Sequence, residues 1–137
     1  MSDALAISIE HNNARLAGTL AFADTGPLAS SILFYSTVRG TFGATVSAAP
    51  LVIVVLTKPC GSVVNNALRL TQAAPGGDLI TVQGSAVWAR WLNGAGDIVG
   101  EGDASDAVGD GVFKVSGTAG TLLYAGARAI LGITEIA

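Results

Sequence analysis

No apolar period of 3.6 residues runs through this chain for long enough to mark a helix. Short β-branched runs alternate instead with Gly, Pro, Asn and Ser, the pattern of an all-β sandwich or barrel. Strands are predicted over residues 4–10, 14–22, 31–38, 51–57, 62–72, 79–92, 97–103, 111–116 and 127–136. Turn formers separate several of them: "ADTGP" at 23–27, "KPCG" at 58–61, "APGGD" at 74–78 and "NGAGD" at 93–97. Charge and composition do not shift midway, so residues 1–137 are expected to form a single domain. Within it, residues 1–12 are read as an N-terminal arm or edge strand. The predicted fold is an antiparallel β-sandwich of about eight strands.

Side-chain alternation assigns faces to some strands. In "SVVNNALRL", read as one continuous strand, Val64, Asn66, Leu68 and Leu70 share one side and Val63, Asn65, Ala67 and Arg69 the other. "LVIVVL" differs, because Leu51, Ile53 and Val55 oppose Val52, Val54 and Leu56 and all six are apolar. Such a strand is expected to be covered on both sides, by its own sheets or by another chain. The last strand is also mixed, with Ala129, Leu131 and Ile133 opposing Arg128, Ile130, Thr134 and Ile136. So small a domain has room for few doubly covered strands, which favours a homodimer or a larger assembly.

Composition points the same way. Charged residues make up 12% of the chain, against roughly 25% in an ordinary soluble domain. Hydrophobic residues make up 50%. The longest unbroken apolar run, Ala48–Leu56, is nine residues, whereas a spanning helix needs about 20. The N-terminus has no basic region before an apolar one, so a soluble chain used without secretion is expected, with no membrane partner. Its spare apolar surface then calls for a protein partner. Net charge is −3 with no Lys/Arg cluster, which disfavours nucleic acid. Cys60, the single cysteine, has no disulfide or zinc companion and reads as a buried, inert thiol.

Catalytic patterns are mostly missing. His11, the only histidine, lies in the polar stretch "EHNNAR" and reads as a solvated turn residue rather than a general base. There is no G-x-S-x-G elbow, and neither lysine follows a glycine as a phosphate loop requires. "GAGDIVG" has the wrong glycine spacing for a dinucleotide loop and leads into a strand-like segment. Asp97, Glu101, Asp103, Asp106 and Asp110 are the strongest metal candidates, but they miss the EF-hand spacing and read as a solvated loop between strands. No cofactor or metal is expected.

The tryptophans carry more. In "AVWARWLN", Val87, Ala89 and Trp91 point one way and Ala86, Trp88, Arg90 and Leu92 the other. The charged side is expected to face outward, exposing Trp88 beside Arg90. That pair would either stack locally and shield the sheet or serve as an interface anchor, a role Trp and Arg dominate. Trp88, Arg90, Leu92, Arg69 and Ile130 are therefore the candidate protein-interface residues.

Four segments, "ILFYSTVRGTFGA", "VIVVLTKPCGSVVNNALRLT", "VQGSAVWARWLNGAGDIVGEGD" and "GTLLYAGARAILGITEI", together resemble small structural proteins of tailed bacteriophages. The shared elements are Phe42-Gly43, the strand around Ala86–Trp91 with its "NGAGD" hairpin, and the closing strand after Tyr124-Ala125-Gly126. They span most of residues 30–137. Within that group the chain is most similar to capsid cement, or decoration, proteins. The resemblance implies a jelly-roll sandwich, no catalytic residues, and a place on the outer capsid surface clamping major capsid protein subunits. Such a protein is made in the host cytoplasm and ends in the virion. The acidic loop at 100–110 and the "LVIVVL" strand depart from the pattern. They leave open a tail or head–tail location, and a receptor- or glycan-binding module is the other alternative.

Overall fold

The computed structural model describes residues 5–117 and 120–137. One helix, α1 (Ile9–Ala23), precedes the strands β1 (Ser31–Tyr35), β2 (Val52–Val64), β3 (Ala67–Gln72), β4 (Asp78–Leu79) and β5 (Gly84–Ser85). Then come β6 (Trp88–Leu92), β7 (Ile98–Ser105), β8 (Phe113–Ser116), β9 (Leu122–Leu123), β10 (Arg128–Leu131) and β11 (Glu135–Ile136). Nine strands form one sheet in the order β11-β3-β2-β1-β6-β7-β8-β10-β4, and β5 pairs with β9 apart from it. Ile80, just past β4, bridges Val52 of β2, and the Thr81 N–H donates to Leu51 O at 2.9 Å. The sheet therefore curls round until its last strand meets its third. The β-rich expectation holds, but the sheet is mixed rather than wholly antiparallel, because β7 and β8 run parallel.

Alternation along the central strands builds the core. Ile32 and Phe34 of β1, Val52 and Val54 of β2, and Ala89 and Trp91 of β6 all point inward and are buried. Each large aliphatic buried this way is worth about 1.5–3 kcal/mol. Leu16 and Ala23 of α1 join the same core, and the helix packs on β2 and β3.

That helix replaces the strand expected at 14–22 and the end of the one expected at 4–10, whose residues 5–8 take no regular structure (residue 4 lies outside the described residues). Ser8 caps it by accepting the His11 N–H at 3.0 Å. Asn12, Leu16 and Ala23 are buried, with Leu20 partly so, which is helical spacing. The stripe is narrow and starts on a polar residue. Asn12 Nδ2 spends itself on Asn66 Oδ1 at 2.7 Å, tying α1 to the β2–β3 turn. His11 accordingly sits exposed in the first helical turn, not in a loop.

Other boundaries also move. Asn65 and Asn66 both have positive φ, 50° and 67°, so "SVVNNALRL" is a two-residue hairpin and not one strand. "KPCG" does not end a strand: β2 continues through it with a register shift between Leu56 and Gly61, a bulge of the kind that accommodates proline. Cys60 is buried in that bulge, and its N–H donates to Asp24 Oδ1 at 2.9 Å. The expected strand 79–92 breaks into β4, β5 and β6, and 127–136 breaks into β10 and β11. The "APGGD" and "NGAGD" turns fall where expected; Asn93 Oδ1 accepts the Ala95 and Asp97 N–H groups in the latter.

Candidate interaction surface

The outward side of β1, β2, β6 and β7 divides into a covered end and a bare end. Residues 36–51, joining β1 to β2, fold over the covered end. Beneath them lie Tyr35, Trp88, Arg90 and Glu101. Arg90 and Glu101 are cross-strand partners on β6 and β7, with side chains 12% and 3% exposed. Arg90 Nε and Nη2 each lie 2.6 Å from Glu101 Oε2. Arg90 Nη2 also donates to Ala44 O at 2.7 Å, and Glu101 Oε2 accepts the Gly43 N–H at 3.3 Å. The ion pair thus grips the loop backbone at two consecutive residues. Pairing in the interior offsets much of the desolvation of both charges, but a single survivor would be costly.

Trp88 belongs to this packing, which corrects its expected exposure. Its ring is 2% exposed. Tyr35 stacks on it at 4.7 Å and 22°, and the Arg90 guanidinium lies 5.5 Å from its centroid. Its Nε1–H donates to Thr37 Oγ1 at 3.3 Å. Alternation gave the face correctly but carried no information about the loop that closes over it. The Trp–Arg pair is the local stack that shields the sheet, and no ring face is left for a sugar or base. Burial raises the Tyr35 phenol above its ordinary pKa, with Arg90 opposing and Glu101 adding to the rise.

The remaining candidates are scattered. Arg69, on β3, is exposed and pairs with Glu135 of β11 at 2.8 Å. Leu92 ends β6 and is half-buried, opposite Ser31 and Ile98. Ile130 is 39% exposed on β10. The acidic residues are engaged one at a time. Glu101 holds the loop, Asp103 meets Arg39 at 3.6 Å, and Asp106 Oδ1 accepts the N–H groups of Val108 and Gly109. Asp97 and Asp110 are exposed. Among the described residues no three metal-ligating side chains converge. Burial raises the Cys60 thiol from 9.0 to about 12, with Asp24 adding to the rise.

The bare end is a different surface, and sequence reading did not isolate it. Leu33 faces Ile53 across β1 and β2, and Ser31 faces both Val55 and Leu92. The Val52–Ile80 bridge sets Ile53 beside Leu79, which in turn faces Arg128. Ile53, Val55 and Leu79 are 47%, 38% and 50% exposed. The "LVIVVL" strand is therefore covered by its own chain on one side only. Below it, the 26–29 loop and the 93–96 hairpin border an open hollow of about 490 Å³ lined by Pro27, Leu28, Ala29, Ser31 and Leu92. Those two loops touch closely: a Cβ on Gly94 would fall 1.9 Å from Leu28 O, and one on Gly26 would fall 2.2 Å from Ala95 N.

Compared with family models, curated proteins and solved structures, the chain matches none. Among the described residues no helix is long and apolar enough to cross a membrane.

Proposed function

We propose that this chain is a non-enzymatic structural protein of a bacteriophage virion, a capsid cement protein that binds the outer capsid surface and ties major capsid protein subunits together. One observation carries the reading: among the described residues seventeen large apolar side chains are exposed against twenty-one buried hydrophobic ones, and Ile53, Val55 and Leu79 adjoin on one uncharged strip. Isolated exposed apolar residues are ordinary, but a contiguous uncharged set marks a docking surface. The side chains that would have suggested chemistry, Arg90, Glu101, Asp103 and Asp106, are each spent on holding loops. The resemblance of residues 30–137 to cement proteins supplies the setting. On this reading the curled sheet is a modified jelly-roll sandwich.

The mechanism is additive burial. Apolar area placed across a seam between capsid subunits stabilises it by about 25 cal/mol per Å², and a symmetric lattice repeats the contact at every equivalent site. Leu5 and Ile9, 83% and 63% exposed at the N-terminal end, with Phe22 further along α1, are the side chains offered to the shell. The test is co-sedimentation with expanded capsids stripped of their decoration, followed by thermal unfolding of the shells. Saturable binding that raises the shell melting temperature is expected. Absence of binding, or binding with no change in shell melting, would overturn the reading.

A further inference from the structure

The bare end of the sheet is flanked by a knob and a hollow on the same chain. The knob is Phe42, 68% exposed at the tip of the loop that Arg90 and Glu101 hold through Ala44 O and the Gly43 N–H. Because the next two residues are gripped, the ring is presented without the ordering cost of a free loop. The hollow at the foot of β1 and β6 is ample for it: a cavity of about 150 Å³ already takes a benzene ring. Asn93 forms part of its wall and fixes it, since Asn93 Oδ1 accepts the Ala95 and Asp97 N–H groups of the hairpin.

We propose that two copies of this chain pair through the bare face about a two-fold axis, Phe42 of each entering the hollow of the other while Leu33, Ile53 and Val55 meet across the axis. A two-fold contact requires one patch to be complementary to itself, and a knob and a hollow flanking one strip meet that requirement. Charge agrees with a second copy. The strip and the hollow lining carry no charged side chain, Arg90 is neutralised by Glu101, and Arg39 is paired with Asp103. Two further cations border the contact, Lys58, whose Nζ donates to Gly26 O and Leu28 O, and Arg128, opposite Leu79; both are exposed, so their charged heads stay in water at the rim. Area agrees as well. In plan the strip is roughly 20 Å by 13 Å, from strand spacing and rise, well short of the ~800 Å² per partner that a standard interface buries. Covering the strip alone would not suffice, whereas a second copy adds the loop and the hollow at the same time. The inference does not rest on the capsid reading, since it concerns the isolated chain.

Sedimentation equilibrium of the full chain tests it. The expected mass is twice 13.7 kDa at tens of micromolar, with Phe42→Asp and Ile53→Lys each weakening the dimer at least tenfold. Both sites are exposed, so circular dichroism should show an unchanged fold. Leu5→Lys, on the N-terminal arm, should leave the dimer intact. Ala29→Trp, which fills the hollow, should be monomeric alone yet regain association when mixed with Phe42→Asp, because one knob then finds one open hollow. A chain monomeric at about 100 µM, or a dimer indifferent to both Phe42→Asp and Ile53→Lys, would overturn the proposal.

Discussion

The two ends of one sheet face share strands, pleat and register, yet they are finished differently. At the Trp88 end the chain spends residues 36–51 on a cover fastened by a buried ion pair. At the Ile53 end it supplies nothing. The covered end contains charge, and a guanidinium and a carboxylate facing each other across β6 and β7 need enclosure and complete hydrogen bonding if they are to stay buried. Apart from Ser31, the bare end is aliphatic. It tolerates water at a modest cost and gains when another surface arrives. A polar cluster is closed internally, while the chain leaves the apolar strip open.

That contrast can be broken most forcefully at the clamp. Glu101→Ala strands the buried Arg90 charge and should cost about 3–5 kcal/mol in urea unfolding, with loss of the near-ultraviolet signal from Trp88. Replacing Arg90 and Glu101 together by apolar residues should recover much of that loss. A single substitution as mild as a surface change would mean that the loop is not held by the pair.

Neighbouring strand positions sharpen the contrast between faces. Ile32 is wholly buried and Ile53 is 47% exposed on the adjoining strand. Ile32→Ala should cost about 2–5 kcal/mol, whereas Ile53→Ala measured under monomeric conditions should cost less than about 1 kcal/mol. Similar values at both positions would mean that the bare face is not bare.

Alkaline pH adds a graded test of the interior. Cys60, and Tyr35 beneath the loop, hold their protons to higher pH when folded than when unfolded. The unfolded chain therefore releases protons first, and stability falls as pH rises from 9.0 towards 12. The Cys60 contribution is at most about 1.4 kcal/mol per pH unit in that window, read from urea midpoints. Well below pH 9.0 neither group should make stability depend on pH, and Cys60 should resist thiol reagents until the fold opens. The smallest effect is at the helix cap. Ser8→Ala should cost about 1 kcal/mol, with hydrogen exchange rising in the first turn of α1.

The sequence was most legible where local chemistry decides the structure. The "NGAGD" hairpin was readable because Asn93 and the glycines specify the turn, and alternation sorted Trp91 from Trp88 and Ile53 from Val54. What alternation cannot state is what lies above a face. Alternation therefore places Trp88 outside although a distant loop buries it, and it cannot say whether the second cover of "LVIVVL" comes from this chain or from another. Helix α1 escaped because its buried stripe rests on Asn12, Leu16 and Ala23, too few apolar groups to show a period. The Asn65–Asn66 turn escaped because two asparagines at positive φ look polar rather than bent. The knob at Phe42 and the hollow below Leu92 had no signal of their own, since both come from loops brought to one face by the fold.

Whether the bare strip is truly a contact surface can be read at one atom. Ile53→Cys places a reactive thiol at its centre, while native Cys60 stays silent in the core. The rate of alkylation at position 53 is predicted to fall as protein concentration rises through the dimerisation range, and to recover on adding Phe42→Asp to the same chain. A rate independent of concentration would contradict the account.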